Sequence, residues 1–247
     1  CADARERRGR ALADSRKAHQ RMRAQIKQRE DQLNKIYNRR VPEELKRPFV
    51  LARKRVQFAE TRNESVFEKA VKKLYQRLYH EAFHAYLDSA VLSERMPVIP
   101  LWLNEGLAQI FETAIVTAGE LRAGSVDDKR LARLRDSLKK KSMLPLSKLI
   151  TASPRQFQVA HVGEQARSDQ YYLTSWALAY YLTFHVQVVG TDALAEHARN
   201  LKNGVKPVQA LERLVKKSLP ELEKDLHEYL RRLRQDGTVA PSRKKKS

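Results

Sequence analysis

The chain has 247 residues, of which 42% are hydrophobic, so it is long enough to bury the core of a catalytic domain. It carries 49 Lys and Arg residues against 29 Asp and Glu residues, a formal net charge of +20. This charge predicts contact with anionic surfaces such as nucleic acid or lipid headgroups. A single cysteine excludes an internal disulfide and a zinc site built on thiolates.

That cysteine, Cys1, opens the chain, which has no initiating methionine. A cysteine at a processed N-terminus is typical of bacterial lipoproteins, in which the thiol carries lipid after a signal peptide is removed. We therefore expect an exported protein that is anchored to a membrane through Cys1. The alternative is that the sequence begins at an arbitrary point within a longer protein.

Residues 1–40 form a compositional unit with 13 Lys or Arg residues, five acids and no proline. A thin apolar stripe at helical spacing predicts a long, charged helix or tether with few apolar side chains to bury. The simplest interpretation is a solvated helix. The alternative is a membrane-surface contact, in which basic residues between positions 5 and 29 would act together with lipid on Cys1.

Residues 41–61 are predicted to be a linker because Pro42 and Pro48 interrupt the helical pattern. Two apolar runs within it, residues 49–52 and 56–58, are candidates for short strands. Beyond the linker, apolar residues repeat at helical spacing from Val66 to Phe83. This spacing predicts a long helix that is buried along one side.

That helix contains an uninterrupted His-Glu-x-x-His motif at His80, Glu81 and His84. Residues four apart lie on one face of a helix, so the two imidazoles can bind one zinc ion. Glu81 would then lie beside the open position of the metal and act as a general base toward water. The alternative is that the two histidines are buried in the core without a metal ion.

A catalytic zinc site usually takes a third protein ligand, and the best candidate is Glu105. It lies in residues 100–112, which read as a loop that continues into a second amphipathic helix. Glu112 follows seven residues later, almost two helical turns, and therefore faces the same side. We predict that Glu112 and Asn104 orient the ligand imidazoles without binding the metal themselves.

The motif at residues 80–84, followed by Trp-Leu-Asn-Glu-Gly at 102–106 with 20 residues between His84 and Glu105, resembles the gluzincin zinc peptidases. Later segments, including residues 144–149 and 172–178, resemble a poorly characterised bacterial family of that superfamily. The resemblance implies a mainly α, gluzincin-like catalytic domain over residues 62–234, with at most a small β element before the motif helix. It also implies one Zn²⁺ per chain, held by His80, His84 and Glu105.

The activity implied by the resemblance is hydrolysis of protein or peptide substrates. An endopeptidase is favoured, because the Gly-x-Met-Glu-Asn segment of aminopeptidase gluzincins is absent from the sequence. Zinc peptidases commonly use a Tyr or His to stabilise the oxyanion, and Tyr172 matches the Tyr-x-x-Ser pattern of the family. Tyr171 and His161 are the alternatives, and packing is the other interpretation of these aromatic residues.

The remaining elements are predicted from local patterns. Thr113 to Gly124 should complete the Glu105 helix, residues 126–141 should form a basic amphipathic helix, and residues 161–169 should form a loop. Residues 235–247 should be a basic disordered tail.

The competing hypothesis for the whole chain is a non-catalytic basic protein that binds an anionic membrane or nucleic acid and retains a metal site. A nucleic-acid contact would then be driven by charge and would not be specific.

Overall fold

The computed structural model describes residues 2–91, 99–117, 120–157 and 165–241. Within these ranges almost all regular structure is helical, so the prediction of a mainly α fold is confirmed. The chain divides into two compact units, Cys1–Tyr75 and Gln76–Ser247. No helix in the described ranges is long and apolar enough to cross a lipid bilayer.

The N-terminal unit is built from helix α1, Ala2–Ile36, and the first part of helix α2, Glu43–Tyr86. Ion pairs link Arg16 to Glu64 at 3.0 Å, Arg23 to Glu60, and Arg53 to Glu30. Because the residue number on α2 falls as that on α1 rises, the two helices run antiparallel. The predicted charged helix over residues 1–40 corresponds to α1.

The predicted linker at residues 41–61 was wrong, and so were its two short strands. Pro42 lies just before α2, and Pro48 lies inside the helix near its start. A proline at this place removes one backbone hydrogen bond, to the carbonyl group four residues earlier. That carbonyl belongs to the exposed Glu44, where water can replace the lost donor, so the helix continues through the proline.

The second unit begins with the last turns of α2 and a wide π-type turn, Leu87–Val91. The elements that follow are α3 (Leu101–Phe111), β1 (Ile115–Thr117), β2 (Glu120–Arg122), α4 (Asp128–Lys139), α5 (Leu146–Ile150), α6 (Pro154–Phe157), α7 (Gln165–Tyr181), α8 (Asp192–Lys202), α9 (Pro207–Val215) and α10 (Leu219–Arg232). A second π-type turn, Leu182–Val186, extends α7.

The core of the second unit is centred on the packing of α3 against α7. Leu103 of α3 and Trp176 of α7 are fully buried there. Gly106 lies at the closest approach, where a Cβ atom would come within 2.4 Å of the Ser175 carbonyl oxygen. The absence of a side chain at Gly106 therefore allows α3 to lie directly on α7.

The small β element lies after the motif helix rather than before it. Strands β1 and β2 pair antiparallel, with Val116 opposite Leu121. The sequence had instead predicted that Thr113 to Gly124 would finish the helix of Glu105, but α3 ends at Phe111. A three-residue strand is too short to produce a clear alternating pattern in the sequence.

Two further predictions differ from the structure. The loop predicted over residues 161–169 is helical from Gln165 onward, and residues 161–164 lie outside the described ranges. The predicted disordered tail is ordered over residues 235–241, where Arg234 N donates to Thr238 O at 2.7 Å and Ala240 N to Arg232 O at 2.9 Å. These hydrogen bonds hold the chain against the end of α10.

Candidate metal centre

The C-terminal turns of α2 and the middle of α3 bring three of the predicted residues together. His80 and His84 lie one turn apart on α2, and Glu105 lies on α3. Phe83, between the histidines, is buried and stacks on Phe111 with ring centroids 4.7 Å apart. This contact fixes the end of α2 against α3, so that the face carrying the histidines meets the carboxylate.

The donor atoms of the three side chains lie close to the spacing of ligands around one metal ion. The two Nε2 atoms of His80 and His84 are 3.1 Å apart. Glu105 Oε2 lies 3.4 Å from His80 Nε2, and Glu105 Oε1 lies 3.8 Å from His84 Nε2. Two ligand atoms each about 2.0–2.1 Å from a tetrahedral zinc ion would be roughly 3.3 Å apart. The geometry therefore fits a single ion bound by all three residues.

A buried atom of Glu105 gives a second reason to place a cation here. Glu105 Oε2 is inaccessible to solvent and has no hydrogen-bond partner within the described part of the chain. A buried carboxylate oxygen without a partner is costly, and coordination to a cation removes that cost. His80, His84 and Glu105 are thus a group that could hold a metal ion.

The Nδ1 atom of each histidine ring lies within hydrogen-bond distance of a side-chain oxygen. His80 Nδ1 lies 2.8 Å from Glu112 Oε1, and His84 Nδ1 lies 2.9 Å from Asn104 Oδ1. An acceptor at Nδ1 holds the ring proton on that nitrogen and leaves the Nε2 lone pair free to bind a metal. Glu112 and Asn104, which the sequence analysis predicted to orient the imidazoles, thus lie in contact with the two rings.

Arg130 of α4 contacts Glu112, and the sequence analysis did not predict it as a residue of the site. Its guanidinium donates to Glu112 Oε2 at 2.8 Å and to the carbonyl oxygen of Gln109 at 3.2 Å, and it lies over the ring of Trp176 at 5.5 Å. In the sequence it is one of several arginines on a basic helix. Only the packing of α4 against the rest of the unit distinguishes it from Arg133 and Arg135.

The carboxylates strongly affect the titration of His80. The carboxylate of Glu105, 3.4 Å from Nε2, and then the hydrogen bond to Glu112 raise the pKa of His80 from 6.5 to about 9, against the opposing effect of burial. For Glu112, burial raises the pKa, but the hydrogen bond to His80 and the charge of Arg130 outweigh it and hold the pKa below its ordinary value. The site thus concentrates negative charge around the imidazoles.

Zinc binding is expected to release protons and to weaken as the pH falls. Because the pKa of His80 is raised to about 9, its imidazole is protonated at neutral pH and must lose that proton to bind zinc. Calorimetric zinc titrations at pH 7 in two buffers with different ionisation enthalpies should show about one proton released per zinc. Equal heats in the two buffers would contradict this expectation.

Replacing Glu112 should weaken metal binding without removing a ligand. In Glu112→Ala the imidazole of His80 loses the acceptor that orients it, and we expect zinc affinity to fall by about 10- to 100-fold. Glu112→Gln keeps an oxygen at the same place and should lose much less. Competition for zinc with a chromophoric chelator measures both affinities, and equal values for the two variants would argue against an orienting role.

A cavity of about 440 Å³ opens beside the cluster, and it is lined by His80, Glu81, Glu112, Arg130, Tyr172 and Leu173 among others. The exposed Glu81 thus shares the cavity with His80. Burial, and then the charge of Glu105, raise the pKa of Tyr172, so that its hydroxyl group remains protonated. Tyr171 and Tyr172 both pack on Phe157, with ring centroids 5.6 and 5.3 Å apart, and His161 lies outside the described residues.

The fold and the site together define a helical protein with a two-histidine, one-carboxylate group able to hold a metal ion. Residues 76–203 match the family described as protein of unknown function DUF1570. The match covers slightly more than half of the chain, which therefore belongs to this family. No curated protein and no solved structure matches the chain.

Proposed function

We propose that this protein is a zinc-dependent hydrolase that cleaves peptide bonds, most simply as an endopeptidase. The observation that carries the proposal is the convergence of His80, His84 and Glu105 beside a cavity that also contains Glu81. A donor set of two nitrogens and one carboxylate is the one used by hydrolytic zinc sites, which keep a further position for water. Of the three residues, His80 also lines the cavity. One zinc ion per chain, held by these three residues, is part of the proposal.

Zinc held by His80, His84 and Glu105 would lower the pKa of a water molecule and would polarise the substrate carbonyl group. Glu81, at the edge of the cavity, accepts a proton from the attacking water and passes it to the leaving amine. The Tyr172 hydroxyl group, on the same cavity, donates a hydrogen bond to the oxygen on which negative charge develops. Glu112 and Asn104 hold the ligand imidazoles in orientation throughout.

Glu81→Gln separates catalysis from metal binding. Glutamine has the same shape as glutamate but cannot accept the proton, so we expect cleavage of fluorescein-labelled casein to fall by about 100-fold or more. Zinc content, measured by mass spectrometry of the metal, should remain at about one ion per chain. Both quantities would be measured on wild-type protein in parallel.

Glu68→Gln is the matched control, because Glu68 is an exposed acid on the same helix outside the cavity. It should leave both zinc content and cleavage unchanged. The proposal fails if wild-type protein loaded with zinc cleaves no member of a broad peptide library, or if Glu81→Gln cleaves as fast as wild type. The first outcome would favour a metal-binding protein without turnover.

A further inference from the structure

One side of α2 in the N-terminal unit is a continuous exposed surface of cations and large apolar side chains. At 3.6 residues per turn, six side chains between positions 47 and 62 fall within an arc of roughly 100°. All six are exposed, and they are Arg47, Leu51, Lys54, Arg55, Phe58 and Arg62. We refer to these six residues as the outer face. Between positions 47 and 62 the only acid is Glu60, which points the opposite way and pairs with Arg23 of α1.

The cations of the outer face differ from many of those on α1. Several α1 arginines are paired with carboxylates, including Arg7 with Asp3, Arg10 with Glu6 and Arg16 with Glu64. Among the described residues, by contrast, none of the four outer-face cations forms an ion pair with a carboxylate. No direct ion pair neutralises their charge among the described residues, so these cations can attract anions.

Two large apolar side chains stand at the centre of this basic surface. Phe58 is 70% exposed and Leu51 is 51% exposed. They are seven residues apart, so they lie in line along the helix at a separation of about 10 Å. Exposed apolar side chains that are flanked by Lys and Arg are suited to contact with an anionic membrane interface, where acyl chains and acidic headgroups meet.

We infer that the outer face docks on an anionic lipid surface. Leu51 and Phe58 enter the boundary between headgroups and acyl chains, while the surrounding cations contact acidic headgroups. A nucleic-acid duplex also attracts cations, but its phosphate backbone offers no apolar site for a leucine. The lipid boundary accommodates both kinds of side chain at once. The inference is independent of the metal centre and of any hydrolytic activity.

Flotation of the full chain with lipid vesicles tests the inference, with Cys1→Ser in every protein so that no thiol-linked group contributes. We expect binding to vesicles of phosphatidylcholine with 30% phosphatidylserine, weaker binding in high salt, and little binding to pure phosphatidylcholine. Leu51→Ser with Phe58→Ser should weaken binding about tenfold or more. Lys54→Glu with Arg55→Glu should weaken it about thirtyfold or more.

Arg199→Glu with Lys202→Glu, on the exposed side of α8, is the matched charge control. It changes the net charge equally and should alter vesicle binding by less than about threefold. Circular dichroism and thermal unfolding would establish that each variant is folded. The inference is overturned if the Cys1→Ser parent protein does not bind the acidic vesicles, or if the α8 control weakens binding as much as the outer-face charge variant. It is also overturned if Leu51→Ser with Phe58→Ser has no effect. In the last case, tight salt-sensitive binding to duplex DNA would identify nucleic acid as the partner.

Discussion

Replacing Glu105 by glutamine is expected to abolish stable zinc binding. The two Nε2 atoms of His80 and His84 are 3.1 Å apart and would remain as ligands, but two neutral imidazoles do not complete a tetrahedral site. Glutamine has nearly the shape of glutamate and lacks its charge, so the variant removes the anionic ligand with little change in packing. We expect zinc affinity to fall by about 100-fold or more, measured by chelator competition and by zinc content after dialysis.

The control for this variant is Glu81→Gln, which makes the same chemical change one residue after His80. Glu81 is exposed and is not part of the group that could hold the metal, so its variant should bind zinc nearly as tightly as wild type. If Glu105→Gln retained zinc at the wild-type level, Glu105 would not be a ligand. The proposed hydrolytic site would then lack its third protein donor.

Gly106→Ala is expected to lower the free energy of unfolding by roughly 2 kcal/mol or more. The new Cβ atom would lie 2.4 Å from the Ser175 carbonyl oxygen and 2.7 Å from Ala179 Cβ, so α3 would have to move away from α7. Alanine favours a helix over glycine by about 1 kcal/mol, which is too little to offset this overpacking. Since Gly106 follows Glu105 directly, zinc affinity should fall together with stability.

Gly9→Ala provides a matched comparison for Gly106→Ala. Gly9 lies inside helix α1, and a Cβ atom there would have no heavy atom within 4 Å. The same substitution should therefore leave stability unchanged or raise it by up to about 1 kcal/mol. Urea denaturation followed by circular dichroism gives both values. Equal effects at the two glycines would mean that the contact of α3 with α7 does not restrict residue 106.

Local patterns predicted the helical elements well where the apolar period was clear. The basic helix predicted over residues 126–141 corresponds to α4, with Leu131 and Leu134 buried. The local patterns gave a wrong prediction at Pro48, which was expected to interrupt the helix. Helix α2 accommodates Pro48 near its start. A proline costs one hydrogen bond, but the cost depends on whether water can reach the orphaned carbonyl, and the sequence does not contain that information.

The amino-acid sequence by itself determined the chemistry of the candidate centre. The spacing of His80 and His84 places two imidazoles on one face of a helix, because the helical period is a local property of the backbone. The seven-residue separation of Glu105 and Glu112 likewise places two carboxylates on one side of the next segment. The candidate ligands and the residues behind them could therefore be named before their positions in space were known.

The tertiary structure alone decided how these two helices meet. The distances of 3.4 and 3.8 Å between Glu105 and the two histidines depend on the packing of the end of α2, α3 and α7, in which Gly106 permits the close approach. The same packing brings Arg130 to Glu112. Contacts between distant segments arise from the shapes of packed surfaces, and no local pattern in the sequence specifies those shapes.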